Sequence, residues 1–152
     1  MLSPEENLAA LGLALPDAPA PVANYVPFVA TGNLLFVSGQ VSFGPDGLVA
    51  GVVGETIDVE AAQSAAKLCA LNLLAQVNAA CGSLDRVARV VKLGGFVNCT
   101  PDFADHPKVI NGASDLMVDV FGDRGKHARA AVGAPSLPLG AAVEVDGVFE
   151  IG

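Results

Sequence analysis

Two ionisable residues near the end of the chain, Arg129 and Glu144, are the best placed by type and spacing to do chemistry. Arg129 stands in HARAAVGA, flanked by Ala128, Ala130 and Ala131, and side chains this small favour a cavity beside the guanidinium over a packed core. An arginine in such a cavity can hold a carboxylate through its planar fork of N–H donors. Glu144 stands in AAVEVDGVFEI. A strand's two-residue period puts Glu144, Asp146 and Glu150 on one face there, and Val143, Val145 and Phe149 on the other. If the strands carrying these residues pair as a hairpin about Leu137-Pro138, Arg129 falls near Glu144 to Asp146. A carboxylate so placed can orient a water molecule or take its proton. It can equally be the ion partner of Arg129 and nothing more.

The other reactive side chains suggest less. Cys69, Cys81 and Cys99 are odd in number and widely spaced, and neither His106 nor His127 has a partner at ligand spacing, so no metal is expected. Cys69 lies in an apolar helical run and reads as core. The net charge is −8, with eight Lys+Arg, no Trp and one Tyr. Nucleic-acid binding needs a basic stripe and aromatic stacking platforms, so no nucleic-acid partner is expected. No apolar run reaches the ~18 residues of a membrane span. The start MLSPEENLAALGL lacks the basic flank of a signal peptide. These features predict a cytoplasmic protein with no membrane partner. Hydrophobic residues make up 52% of the chain and mean hydropathy is +0.52, a surplus of apolar surface that points to a subunit interface.

The elements that must position Arg129 and Glu144 follow from pattern. SPEE at the start is a capping box with proline at the first helical position, predicting a short helix to about Leu13. PDAPAP then breaks it, so residues 1–19 read as an N-terminal helical extension and 20–152 as a single domain. Apolar runs over 26–30 and 34–38, joined by Thr31-Gly32-Asn33, predict a hairpin, and 48–53 a short third strand. Asp58 opens the longest helical pattern, to about Ala80, whose alanines let it lie close to a sheet. Residues 86–98 read as a strand with apolar side chains on both faces, 109–121 as a second helix, and 128–134 and 141–151 as the closing strands. The order is β-β-β-α-β-α-β-β, an α/β (α+β) domain with a mixed sheet. Its two helices can cover only one face of that sheet. The economical cover for the other is another copy of the chain.

Several segments, in order, carry a family resemblance: NYV (24–26), TGNLLFVSGQV, GSLDRVARVVKLGGFVN, PDF (101–103), VINGASDLMVDVFG, HARAAVGAPSLP and VEV (143–145). Together they resemble the reactive intermediate deaminase family (RidA), also called YjgF-like or L-PSP endoribonuclease-like, in a divergent chorismate-mutase-like branch. The resemblance implies a chorismate-mutase-like fold and a homotrimer with a central β-barrel, helices outside and sites in clefts between subunits. It implies an imine deaminase, a hydrolase that turns enamines and imines such as 2-aminoacrylate into 2-keto acids and ammonia without a cofactor. It places the carboxylate-binding arginine on Arg129 and the water-positioning acid on Glu144. The pocket tyrosine falls on Tyr25, the Ser-Gly pair on Ser38 and Gly39, and the helix asparagine on Asn111. Each has a plainer reading: Tyr25 as a buried aromatic, Ser38 bonding the local backbone, Asn111 as a helix cap. The cysteine that many members carry two residues after the arginine is Ala131 here. The helix at the start and the segment GDRGKH (122–127) look like additions. A non-catalytic trimer that binds small carboxylates is the alternative, and an endoribonuclease a weaker one given the charge.

Overall fold

The computed structural model describes residues 2–21 and 23–152. The capping box forms as read. Ser3 Oγ accepts from the Glu6 N–H at 3.1 Å and opens helix α1, Pro4–Ala10, which stops three residues short of the predicted end. Its neighbours hold it down: Asn7 Nδ2 donates to the Val120 carbonyl at 2.8 Å, and Glu5 accepts from Ser83 Oγ and the Leu84 N–H.

Strands β1 (Phe28–Thr31) and β2 (Leu34–Val41) form the expected antiparallel hairpin, Phe28 opposite Val37 and Thr31 opposite Leu34. The predicted third strand over 48–53 does not form. A two-stranded ribbon, β3 (Phe43–Gly44) and β4 (Gly47–Leu48), takes the turn instead. Beyond it Gly51 (φ 141°) and Gly54 (φ 91°) turn the backbone through positive φ, and only single bridges at Ala50 and Val53 remain. Helix α2 runs Val59–Cys81, capped by Asp58 at one end and by Gly82 in the left-handed region at the other. Strand β5 (Val87–Asn98), helix α3 (His106–Phe121), strand β6 (Ala128–Ala134) and strand β7 (Val143–Ile151) complete the chain. Helix α3 starts three residues before the predicted 109, with Pro107 in its first turn.

The sheet order is β1-β2-β7-β5-β6, and this overturns the hairpin expected between the last two strands. Helix α3 carries the chain from β5 over the sheet, so β6 returns parallel to β5, Leu93 opposite Arg129. That leaves the other edge of β5 for β7, which inserts antiparallel between β5 and β2. The result is a mixed sheet with helices on one face, α2 over β2 and β7 and α3 over β5 and β6. Beneath them lie Leu35, Val37, Leu93, Val97, Val143, Val145 and Phe149, all buried. The other face is bare in the single chain: Val29, Phe36 and Val132 are 53%, 45% and 47% exposed. Within the single chain, residues 86–98 are covered on the helix face only.

The helix layer is tight because of small residues. Ala62, Ala65, Ala66 and Ala70 of α2 are fully buried. At the crossing of α2 and α3, a Cβ on Gly112 would collide with the Gln63 carbonyl oxygen. Alanine gains ~1 kcal/mol over glycine in a free helix, but here the obstacle is backbone that cannot swing aside. Gly112→Ala is expected to destabilise the fold by ~1–3 kcal/mol, the usual range for overpacking, read as a lowered midpoint in urea unfolding.

Candidate functional site

The sequence-predicted residues separate into two groups. Tyr25, Ser38, Gly39 and Glu144 line one cleft of about 380 Å³, together with Pro19, Pro21, Ala23, Pro27, Gln40 and Pro138. One wall carries Pro19, Pro21 and Ala23, where the extension meets the domain, and Gln76 Nε2 holds it by donating to the Pro19 carbonyl at 2.6 Å. Tyr25 is 43% exposed, so it is not the buried aromatic of the plainer reading. Ser38 does bond the backbone, its Oγ donating to the Val26 carbonyl at 3.0 Å, which ties the wall to β2.

A β-bulge shapes the floor. Val37 sits opposite Gly147 and Gln40 opposite Val145, so β2 has one residue more than β7 across Ser38-Gly39. A Cβ on Gly39 would fall 2.5 Å from Glu144 Oε2, so only glycine leaves room for the carboxylate there. Burial raises the Glu144 pKa, and the charge of Asp146, two residues on along the same face, adds to the rise. The Asp146 pKa is itself raised by burial. Removing a negative neighbour makes the anion easier to form, so Asp146→Asn is expected to move the Glu144 titration to lower pH, read by carbon NMR of its carboxyl. The wild-type anion is favoured less than an ordinary glutamate's, which makes it the stronger proton acceptor once ionised. Cys69, fully buried behind the same strand, has its thiol pKa pushed well up by burial and then by Glu144, and its Sγ lies 3.4 Å from the Val143 carbonyl as donor; it is core.

Arg129 is elsewhere. Residues opposite one another in a sheet share a face. Arg129 pairs with Leu93, buried under the helices, whereas Glu144 pairs with Phe96 on the bare face. Strand β5 stands between them, about 10 Å across the sheet at two strand spacings, and Arg129 is level with Gly147, three residues or about 10 Å along the sheet from Glu144. The expected approach of Arg129 to Glu144 or Asp146 within one chain is therefore overturned. Among the described residues the ion pairs are Arg124–Asp85 at 3.6 Å and Lys126–Asp123 at 3.1 Å, and neither involves Arg129. Its Nη1 donates to Ser114 Oγ at 3.1 Å and its Nη2 to the Pro107 carbonyl at 3.2 Å, both on α3. Asn111 lies on α3 between those contacts, at positions one turn from each, and is exposed. It is not the helix cap, a position held by Asp105. Arg129 and Asn111 thus form a second group, at the β6 edge.

Sequence reasoning missed Ser114 and His127. The signal available was alternation: His127 and Arg129 fall two apart in HAR, so they project to the same side.

A family model described as "YjgF/chorismate_mutase-like, putative endoribonuclease" matches residues 5–150. The chain belongs to the YjgF/chorismate-mutase-like family. The match takes in most of α1, so the helix at the start lies within the family's span. Protein TCP17 of Trypanosoma cruzi is 50% identical over 147 residues, covering 95% of this chain and 92% of that one. The crystal structure of Atu1372 from Agrobacterium tumefaciens, described as of unknown function, superposes with a TM-score of 0.92 at 52% identity, covering 98% and 92% of the two chains. RidA from the Antarctic bacterium Psychrobacter sp. PAMC 21119 is more distant, at TM-score 0.63 and 29% identity over 90% or so of each chain, 89% of this one and 94% of that. The YjgF-like chain thus has the chorismate-mutase-like fold. Among its described residues no helix is long and apolar enough to cross a membrane.

Proposed function

We propose that this YjgF-family chain hydrolyses reactive imines and enamines of the 2-aminoacrylate type to 2-keto acids and ammonia, in clefts completed by a second copy. The observation that carries the reading is the division of the site. Glu144, Tyr25 and Ser38-Gly39 share one cleft, while Arg129 stands on the edge strand β6 and Asn111 on α3, the helix that Arg129 contacts. A neighbour presenting its β6 edge to the cleft supplies the missing cation. The bare apolar face gives copies a reason to associate, and a homotrimer closing three sheets into a barrel would cover it.

The chemistry asks little of the protein. Arg129 holds the substrate carboxylate by two parallel N–H donors. The protonated imine carbon is already electrophilic, so catalysis consists of placement and one proton acceptor. Glu144 takes a proton from water as its oxygen bonds to the imine carbon. The proton passes to the amine nitrogen of the tetrahedral adduct. The C–N bond then breaks as Glu144 takes the hydroxyl proton, and a keto acid and ammonia leave, the ammonia picking up that proton as ammonium. An enamine enters the same route after its terminal carbon takes a proton from water to give the iminium. No group beyond the side chains is called on.

The direct test generates 2-aminoacrylate with a partner lyase and follows keto-acid release. Acceleration over the spontaneous rate is the expected result. A protein that binds pyruvate but gives no acceleration is instead the non-catalytic carboxylate binder. RNA cleavage is disfavoured by the net charge of −8, because phosphate contacts need cations.

A further inference from the structure

Arg129 is not simply lying against α3. Its contacts belong to a chain of hydrogen bonds whose direction can be worked out. His127 Nδ1 is 2.6 Å from the Gly125 carbonyl oxygen. A carbonyl has no proton to give, so Nδ1 carries the hydrogen, and in the neutral ring Nε2 is then an acceptor. Ser114 Oγ lies 2.9 Å from that Nε2, so the serine hydroxyl donates to it. The serine's lone pairs are left free to accept from Arg129 Nη1 at 3.1 Å. Each donor meets one acceptor, and the arginine's charge strengthens the series.

Local structure builds this chain deliberately. Pro107 and Ser114 are seven residues apart on α3, on one stripe, so both contacts of Arg129 come from a rigid element. The 122–127 segment supplies the other end. Arg124 Nη1 donates to the Val87 carbonyl at 2.8 Å and pins the segment to the start of β5. Gly125 is buried where a Cβ would collide with the Met117 backbone, so its carbonyl can come in under the imidazole. Two of the guanidinium's five N–H groups are spent on Ser114 and Pro107, and three remain, enough for one bidentate carboxylate.

We propose that Ser114 and His127 are positioning residues that lock the guanidinium of Arg129, so that its remaining N–H groups form a preset fork for a small carboxylate. This rests on the reading of Arg129 as the carboxylate holder. It also gives the 122–127 segment a task, the placement of His127.

The test compares Ser114→Ala, Ser114→Thr, His127→Phe and Arg129→Ala with wild type, using pyruvate and its uncharged analogue pyruvamide as probes. Alanine is the better helix former, so Ser114→Ala is expected to keep α3 intact. Ser114→Ala and His127→Phe should weaken pyruvate about tenfold, equivalent to ~1.4 kcal/mol, with pyruvamide unchanged. KM should rise by the same factor with kcat held, as for a lost uniform binding interaction. Ser114→Thr, which keeps the hydroxyl, should restore the wild-type values. Pyruvate affinity unchanged in both Ser114→Ala and His127→Phe, but lost in Arg129→Ala, overturns the positioning role. Nitrogen NMR of the Arg129 guanidinium separates this from failure of the site itself. If Arg129→Ala binds pyruvate like wild type, the carboxylate reading falls. Slowed guanidinium rotation in wild type that Ser114→Ala releases still upholds the lock, and identical rotation in the two overturns it.

Discussion

Glu144→Gln is expected to lower imine hydrolysis by ~10²–10⁴-fold, the range for loss of a general base, while pyruvate still binds. The substitution keeps the shape of the side chain and removes its ability to take a proton. It leaves the bulge and Gly39 undisturbed, because the amide occupies the same space over that glycine. It also leaves the α3 contacts that hold each copy's Arg129 untouched, since Glu144 makes none of them. Turnover is read by keto-acid release and binding by calorimetry. A variant with wild-type turnover would move the proton acceptor elsewhere, and Asp146, alongside on the same face, is the next residue to replace. The experiment also divides enzyme from binder: a protein that only binds has no turnover to lose.

The second large effect is recovery of activity on mixing. Arg129→Ala and Glu144→Gln subunits should each be nearly inactive alone. In one chain the two residues lie on opposite faces with β5 between them, and the proposed cleft therefore takes Glu144 from one copy and Arg129 from another. After equimolar unfolding and co-refolding into trimers, each cleft has a chance of one half that its Glu144 donor is intact and one half that its Arg129 donor is. About a quarter of wild-type activity should return. Mixing without subunit exchange should return none, which controls for contamination. If the co-refolded mixture stays inactive while both variants assemble, the shared cleft is wrong.

How legible the site was depended on what kind of information placed each residue. The helices were legible because their ends carry local chemistry: Ser3, Asp58 and Gly82 do in the structure what their types suggest. The alternation of Glu144 and Asp146 against Val143 and Val145 was likewise local, and the buried-and-open pattern follows it. The partnership of strands was not. Nothing in PSLPLG says whether 128–134 folds back on 143–151 or sits beyond β5, and that choice moved Arg129 to the other face. The decision is made by α3, whose crossover forces β6 parallel to β5, a long-range consequence that no local pattern spells out. The lost strand at 48–53 failed for a different reason: its apolar composition suits a strand, but Gly51 and Gly54 bend the backbone out of the ladder. Ser114 and His127 are ordinary in sequence, and only the fold shows that they meet Arg129.

The bulge at Ser38-Gly39 has an evolutionary reading. Deleting Gly39 would put Ser38 opposite Asp146 and leave Gln40 opposite Val145, so β2 would pair with β7 without interruption and no side chain further along would change face. The shorter strand should gain ladder hydrogen bonds and lose the floor on which the Glu144 carboxylate rests. Selection for stability alone would therefore erode this residue, and a lineage that keeps it does so against that drift. On the proposed mechanism, presence or absence of one glycine among descendants of such a chain would distinguish those that still work on a ligand from those that have kept only the scaffold.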